Sequence, residues 1–457
     1  MTHAKPARAP VAPLLALCVG YFMVILDTTI VNVALPALRH DLHAGLSELQ
    51  WTVAGYTLVF AALLLTGGAL GDRLGARSVF QAGLAVFVLA SLVCGLAPNA
   101  ATLIVARLAQ GVGAALSVPA SLALLRTAYP DDAARVRAVG VWGGVAGVAA
   151  AAGPVLGGVL VAVASWRLVF FVNVPIGILG MVLTARHVPA PDRRPRGLDP
   201  IAQLAGILAL AGLALGLIEG GHNRWGSALV LAGFVAFVAA GALFIAVERR
   251  AGDRMLPLAL FGSRPFAGGT AIGLLINLGF YGEMFVLNLY FQQVRGYSAL
   301  LAGLALLPQM GVVAVGSWAS GRFTSRMGST RPTLLIGLLV GAAGLLGFIA
   351  TAGSGYPALV GPMVAAGFGM AFTMPAATTT VVDNAPPDRA GIAAAVINAA
   401  RQIGSVIGVA ALGDLVAGPF LPGFRVALAV AGAAFLLAAA LAATILRPHS
   451  VDPISRS

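Results

Sequence analysis

A helix needs about 20 apolar residues to cross roughly 30 Å of hydrocarbon, and runs of that length recur along almost all of this chain. They lie near residues 13–36, 50–70, 78–96, 101–126, 138–162, 168–187, 199–218, 227–247, 266–291, 299–320, 332–352, 356–380, 389–417 and 424–446. Soluble domains carry roughly 25% charged residues, whereas only 10% of these 457 residues are charged and 59% are hydrophobic. A water-soluble globular fold is excluded, and the expected class is an all-α polytopic membrane protein with fourteen transmembrane helices. The first run is too long for a cleavable signal and has no A-x-A site followed by a polar region, so it is expected to stay as an anchor.

The formal charge of +12 would often indicate a nucleic-acid partner. The positions of the basic residues give another reading. With the N-terminus inside, 21 of the 28 fall in inner segments, 5 in outer segments (Arg39, Arg167, Arg224, Arg295, Arg425) and 2, Arg107 and Arg401, within spans. That asymmetry places both termini in the cytoplasm of a protein of the cell membrane. The expected partner is the lipid bilayer, with no nucleic acid; nothing in the chain sets an oligomeric state.

Counting also removes chemistries. Lys5 is the single lysine, so no GxxxxGK[ST] phosphate loop exists. No HExxH or GxSxG string appears, no enzyme is expected, and no metal or cofactor. Cys18 and Cys94 sit in apolar runs, where a free thiol packs as a small hydrophobe. The six histidines lie in tails, loops or span ends, so any proton coupling must rest on carboxylates.

The chain repeats itself. Gly68, Arg73 and Gly75 are echoed by Gly321, Arg326 and Gly328, and Gly153 and Gly157 by Gly404 and Gly408. Such spacing implies two parallel six-helix halves. The expected division is 1–190 for the first half, 191–265 for an inserted two-helix linker and 266–457 for the second. The polar, proline-containing stretch Pro189–Pro200 marks the first boundary.

Residues 26–36 (LDTTIVNVALP), 68–77 (GALGDRLGAR), 107–115 (RLAQGVGAA) and 153–158 (GPVLGG) together resemble motifs of the fourteen-span drug:proton antiporters of the major facilitator superfamily. The first is similar to that branch's first-span signature, and the second to the superfamily's loop 2–3 motif. The third resembles the fourth-span motif, the fourth the antiporter motif of span 5, and 165–177 (SWRLVFFVNVPIG) a stretch typical of the same branch. Ala149 and Ala76 depart from the pattern, standing where a glycine and a basic residue are common. The resemblance implies a major facilitator fold and export of an antibiotic or other toxic compound, with the proton as coupling ion.

The residues support roles of their own. Asp27 lies near the middle of span 1, where an ionised carboxylate costs several kcal/mol unless hydrated or paired. That position suits a proton carrier, a permanent structural pair being the alternative. Asp27 is nine residues, about 13 Å, below the outer end of its span, and Arg107 six residues, about 9 Å, below the same surface. Arg107 is therefore the expected partner. In span 9, Asn277, Tyr281, Met284, Asn288 and Gln292 recur at helical spacing. Asn277, Tyr281, Asn288 and Gln292 are expected to line a substrate cavity with Tyr56, lipid exposure being the alternative for Tyr56. Glu283 falls on the opposite side of an ideal helix from Tyr281; unwinding at Gly279 and Gly282 would turn it inward. Its expected partner is Arg401 in span 13, which completes a coupling set of Asp27, Arg107, Glu283 and Arg401.

In the loop motif Gly68, Asp72, Arg73, Gly75 and Arg77 are candidates for a conformational latch. Asp72 would face the helix start after Pro386-Pro387-Asp388-Arg389, as the resemblance implies, while Arg77 reads equally as a positive-inside anchor. Gly153, Gly157 and Gly158 allow close helix approach and Pro154 a bend; the resemblance makes these an antiporter seal, and tight packing alone is the alternative. Glu219 and Asp414 read as exposed anchors, and Trp142, Trp166 and Trp225 as interfacial residues.

The expected function is a proton-coupled efflux transporter for small hydrophobic compounds, with Asp27 as leading proton carrier. Two acids and two arginines inside the spans balance, which favours a neutral, zwitterionic or weakly acidic substrate over a quaternary cation. A metabolite transporter of the same fold and a non-transporting membrane receptor are the alternatives.

Overall fold

A computed structural model describes residues 11–189, 199–223, 225–250, 258–386 and 389–445. The chain ends, the linker around 190–198 and Pro387-Asp388 lie outside the described residues, as do Arg193, Arg194, Arg196, Arg224 and Arg254.

The described chain is a succession of helices: α1 Val11–Leu42, α2 Leu46–Leu74, α3 Ala76–Gly95, α4 Ala100–Ala128, α5 Asp132–Val163, α6 Leu168–Phe171 and α7 Asn173–His187. Then come α8 Pro200–Asn223, α9 Ala228–Arg250, α10 Arg264–Leu289, α11 Ala299–Ala305, α12 Leu307–Met327, α13 Thr330–Thr351, α14 Tyr356–Asp383, α15 Ala390–Leu415 and α16 Phe420–Ile445. Thirteen spans pass a length and hydropathy test, α6 with α7 counting as one, and α11 with α12 makes a fourteenth, bent by 41°. Hydrophobic length set the count, because in hydrocarbon every backbone group must be satisfied within the segment.

Local chemistry starts and stops these helices. Asn99 accepts from the Thr102 amide at 2.9 Å and Asp131 from Ala134 at 2.8 Å, each capping a helix N-terminus. The repeated motif ends both of its helices alike: Gly75 after α2 (φ 96°) and Gly328 after α12 (φ 62°) take a conformation that costs a side-chained residue dearly.

Helices α1–α7 pack on one another, as do α10–α16, with α3 on α4, α2 on α4, α10 on α15 and α13 on α14 the broadest pairings. The halves meet through α2 on α15 and through α5 on α11 and α12. The inserted helices stand outside this seam: α8 touches both α2 and α15, and α9 packs on α8. Only 11% of the span window of α9 is buried, so α9 is the lipid-facing member.

Candidate transport site

Asp27 is fully buried in α1 and ion-paired to Arg107 of α4, itself buried. A carboxylate away from water must have its oxygens satisfied, and α4 and α7 supply the donors. Asn173, the first residue of α7, donates to Asp27 Oδ1 at 2.8 Å, and Gln110 of α4 reaches the same oxygen at 3.4 Å. Arg107 also donates from Nη1 to Gln110 Oε1 (2.8 Å) and from Nε to the Thr52 carbonyl of α2 (2.9 Å). Gln110 in turn donates to Ser91 of α3 (2.7 Å). The guanidinium stands 4.4 Å from the Tyr56 ring centre, and the Tyr56 hydroxyl donates to Val24 O at 3.3 Å. Tyr56 is therefore part of the wall around the ion pair.

The depth count brought Asp27 and Arg107 together, but the second expected pair does not form. Glu283 is fully buried in α10 and its Oε2 accepts from Gln309 Nε2 of α12 at 2.8 Å. Arg401 forms no ion pair among the described residues and donates from Nη1 to Asn398 Oδ1 at 3.0 Å. The reason is axial. A Cβ on Gly273 would lie 3.8 Å from Arg401 Cγ, whereas Gly282, beside Glu283, packs on Gly408 and Leu412. Ten residues of α10 separate the two levels, about 15 Å at 1.5 Å per residue. Nor does α10 unwind: it stays α-helical through Gly279 and Gly282, and the irregular turn is a π-helical segment, Tyr290–Val294.

The polar stripe of α10 divides into two uses. Asn288 donates to the Asn32 carbonyl and Gln292 to the Val33 carbonyl of α1 (3.0 Å), which ties the halves together where a cavity lining was expected. Asn277 donates to Gly273 O at 2.7 Å and faces Met374 Sδ at 3.6 Å. Tyr281 is half-buried and has Arg401 and Tyr21 of α1 in its neighbourhood. Tyr21 stacks on Trp142 of α5 with ring centres 3.7 Å apart and planes 8° apart. Tyr21, Trp142, Tyr281 and Arg401 thus bring two helices of each half to one aromatic and cationic cluster.

The described ties between halves gather at the end of the bundle that carries Gly45, between α1 and α2. Gln50 of α2 donates to the carbonyls of Val409 (3.2 Å) and Ala410 (2.9 Å) in α15. A Cβ on Gly157 would stand 2.7 Å from Ile30 O of α1, and one on Gly158 2.8 Å from Ala299 O of α11. Gly153 packs equally tightly on Thr29, and the Pro154 carbonyl lies under Gly303. Towards the other end, at Gly75, a Cβ on Gly140, Gly143 or Gly144 of α5 meets no atom within 4 Å. Of the expected latch at that end, Arg73 is exposed, Gly68 faces Pro119 and Arg77 Nη2 donates to Ala185 O at 2.6 Å. Asp72 is half-buried, and the Pro387-Asp388 part of its expected counterpart lies outside the described residues.

A profile of the Major Facilitator Superfamily matches residues 17–409. The chain belongs to the major facilitator superfamily. It is 39% identical over 398 residues to the methylenomycin A resistance protein of Streptomyces coelicolor, covering 87% of this chain and 84% of that one. It is 40% identical over 417 residues to the tetracenomycin C resistance and export protein of Streptomyces glaucescens (89% and 76% covered). Among solved structures, a POT family transporter in complex with a thioalcohol-conjugated peptide superposes with a TM-score of 0.73 over 95% of this chain and 96% of that one, at 15% identity. As a major facilitator, the chain has the fold that its repeated halves implied, with relatives that are resistance and export proteins.

Sequence reasoning passed over Gln110, Asn173 and Gln309. Gln110 stands one helical turn from Arg107 and shares its face, a spacing that points to it. Asn173 lies within a quoted motif but owes its role to the break between α6 and α7. Gln309 leaves no trace in sequence beyond following Pro308 at the start of a bent span.

Proposed function

We propose that this major facilitator is a proton-driven exporter of small, largely hydrophobic compounds, antibiotics among them, with Asp27 as the leading proton carrier. The observation that carries the reading is the fully buried Asp27–Arg107 pair in membrane-spanning helices. Ionisable groups inside a membrane are expensive and mark ion pathways and proton relays. Protonating Asp27 removes one charge of the pair and leaves Arg107 to find other partners, a local event that biases a two-state transporter. The resistance and export proteins among its relatives support the direction of transport. With the arginine-rich end facing the cytoplasm, the ties at Gln50, Asn288 and Gln292 close the outer side and the α5 glycines open towards the inner one.

The charge balance favours a neutral, zwitterionic or weakly acidic substrate. Asp27 is matched by Arg107 and Glu283 is bonded to an amide, so Arg401 is the charge left for a ligand, beside the Tyr21–Trp142 stack. A planar aromatic molecule with acceptor oxygens suits that cluster. The test is a resistance and uptake panel in a pump-deficient host, with and without an uncoupler, for the natural chain and Asp27→Asn. Uncoupler-sensitive export of neutral or acidic antibiotics, lost in Asp27→Asn, is expected. Strong resistance to dicationic dyes alone overturns the substrate class, and growth rescue on a carbon source overturns export itself.

A further inference from the structure

Two oxygens face the same buried junction without partners. Glu283 Oε1 and Gln309 Oε1 are both shielded from solvent and have no hydrogen bond, although Glu283 Oε2 and Gln309 Nε2 are bonded to each other at 2.8 Å. Both residues are fully buried. Orphaned polar atoms in a native interior need a physical explanation, and two unpaired acceptors on one hydrogen-bonded acid–amide pair have none while the carboxyl is ionised. An ionised carboxylate only accepts, but a protonated one gains an O–H donor, and a carboxamide offers one acceptor and two donors. A proton on Glu283 Oε1 donated to Gln309 Oε1 satisfies both orphans at once and closes a two-bond ring between acid and amide.

We infer that Glu283 is a neutral acid closed in such an acid–amide ring with Gln309, its positioning residue. The fold prepares the site. The bend between α11 and α12 brings Gln309, in the first turn after Pro308, against α10. Backbone hydrogen bonds from Leu306 to Ala302 O and from Met310 to Leu306 O carry the chain through that bend. The charged and titratable groups of the surrounding helices are Cys18, Tyr21, Asp27, Arg39, His40 and Asp41 of α1, Arg264 and Tyr281 of α10, Arg322 and Arg326 of α12, Tyr356 and Asp383 of α14, Arg401 and Asp414 of α15, and Arg425 of α16. None of them bonds to Glu283 among the described residues. When the proton leaves Oε1, Oε2 keeps its bond from Nε2 and the Gln309 carbonyl loses its donor. The ring therefore has one proton to give, next to a bend in a helix at the moving seam. Its place in the transport cycle rests on the exporter reading, but its existence does not.

Infrared difference spectroscopy on the purified full chain, titrated with pH, tests the ring without transport. The natural chain is expected to show a protonated-carboxyl C=O band near neutral pH that disappears in Glu283→Gln, a variant that keeps an amide–amide ring and so the fold. Gln309→Leu is expected to keep the band but move it to the position of an acid without hydrogen bonds, while Gln309→Asn, a shorter amide, recovers part of the displacement. An unchanged band in Glu283→Gln shows the acid ionised, and an unmoved band in Gln309→Leu shows that no ring exists; either overturns the inference. Absence of uncoupler-sensitive export from the natural chain, with the band intact, counts against the exporter reading alone.

Discussion

Arg107 meets Asp27 across two helices at a depth where neither side chain touches solvent, with 1% and 0% exposure. Removing one partner of such a pair leaves an uncompensated buried charge, which costs about 3–5 kcal/mol. Asp27→Asn is therefore expected to lose export and also to melt earlier in detergent than the natural chain. Adding Arg107→Gln should recover part of that stability and none of the export. If the double variant melts at the sum of the two single losses, the residues are not coupled and the pair has no special standing.

Asn173 gives the Asp27 carboxylate its second strong donor, at 2.8 Å. Asn173→Ala removes that bond and leaves the chain otherwise intact. The expected cost is about 1–3 kcal/mol, the range for stranding a buried polar group, together with weaker proton-coupled export. Asn173→Asp is expected to be worse than alanine, because it sets a second carboxylate against the first. The measurement is export rate per folded molecule, and equal rates in alanine and aspartate variants would remove Asn173 from the coupling network.

Hydropathy alone exposed the fold, because a span must be long and apolar wherever it occurs, and the two echoed motifs marked the internal symmetry. The first ion pair was equally legible, since Asp27 and Arg107 are counted from the same surface along two regular helices. Glu283 and Arg401 were paired without such a count: α10 and α15 run side by side in one direction, and the two residues sit at different heights on them. Asn288 and Gln292 show a further limit. A polar stripe at helical spacing establishes that these residues share a face, but not whether that face meets a cavity or the neighbouring half. Gln309 depends on a bend that no periodicity announces.

Glu219 was expected to be an exposed anchor at a span end, yet its Oε1 accepts from Ser47 Oγ (2.7 Å) and Trp51 Nε1 (3.0 Å) of α2. Gln203, at the other end of α8, donates to Ala62 O at 2.7 Å and bonds to Thr66. The inserted helix is thus fastened to α2 at both ends and also packs on α15. Glu219→Ala strands Ser47 and Trp51 and is expected to lower the melting temperature. Glu219→Gln keeps an acceptor and should stay within about 0.5 kcal/mol of the natural chain, as substitutions that preserve such features do. Equal losses in the two variants would trace the effect to charge and not to the hydrogen bonds.

The halves approach closely between α5 and α11, where Gly158 leaves 2.8 Å between an added Cβ and the Ala299 carbonyl. Backbone cannot yield as a flexible side chain can, so Gly158→Ala must move the two halves apart at the Gly45 end. The conformational balance should shift towards the state open on that side. Val33, fully buried beside the Gln292 tie, is a reporter: a Val33→Cys chain should react slowly with a membrane-impermeant maleimide. In the Gly158→Ala background the labelling rate should rise roughly tenfold, the population change that 1.4 kcal/mol brings. Gly140→Ala, at a glycine that meets no neighbour within 4 Å, should leave the rate unchanged. A rise in both variants, or in neither, would falsify the assignment of the α5–α11 seam as the seal.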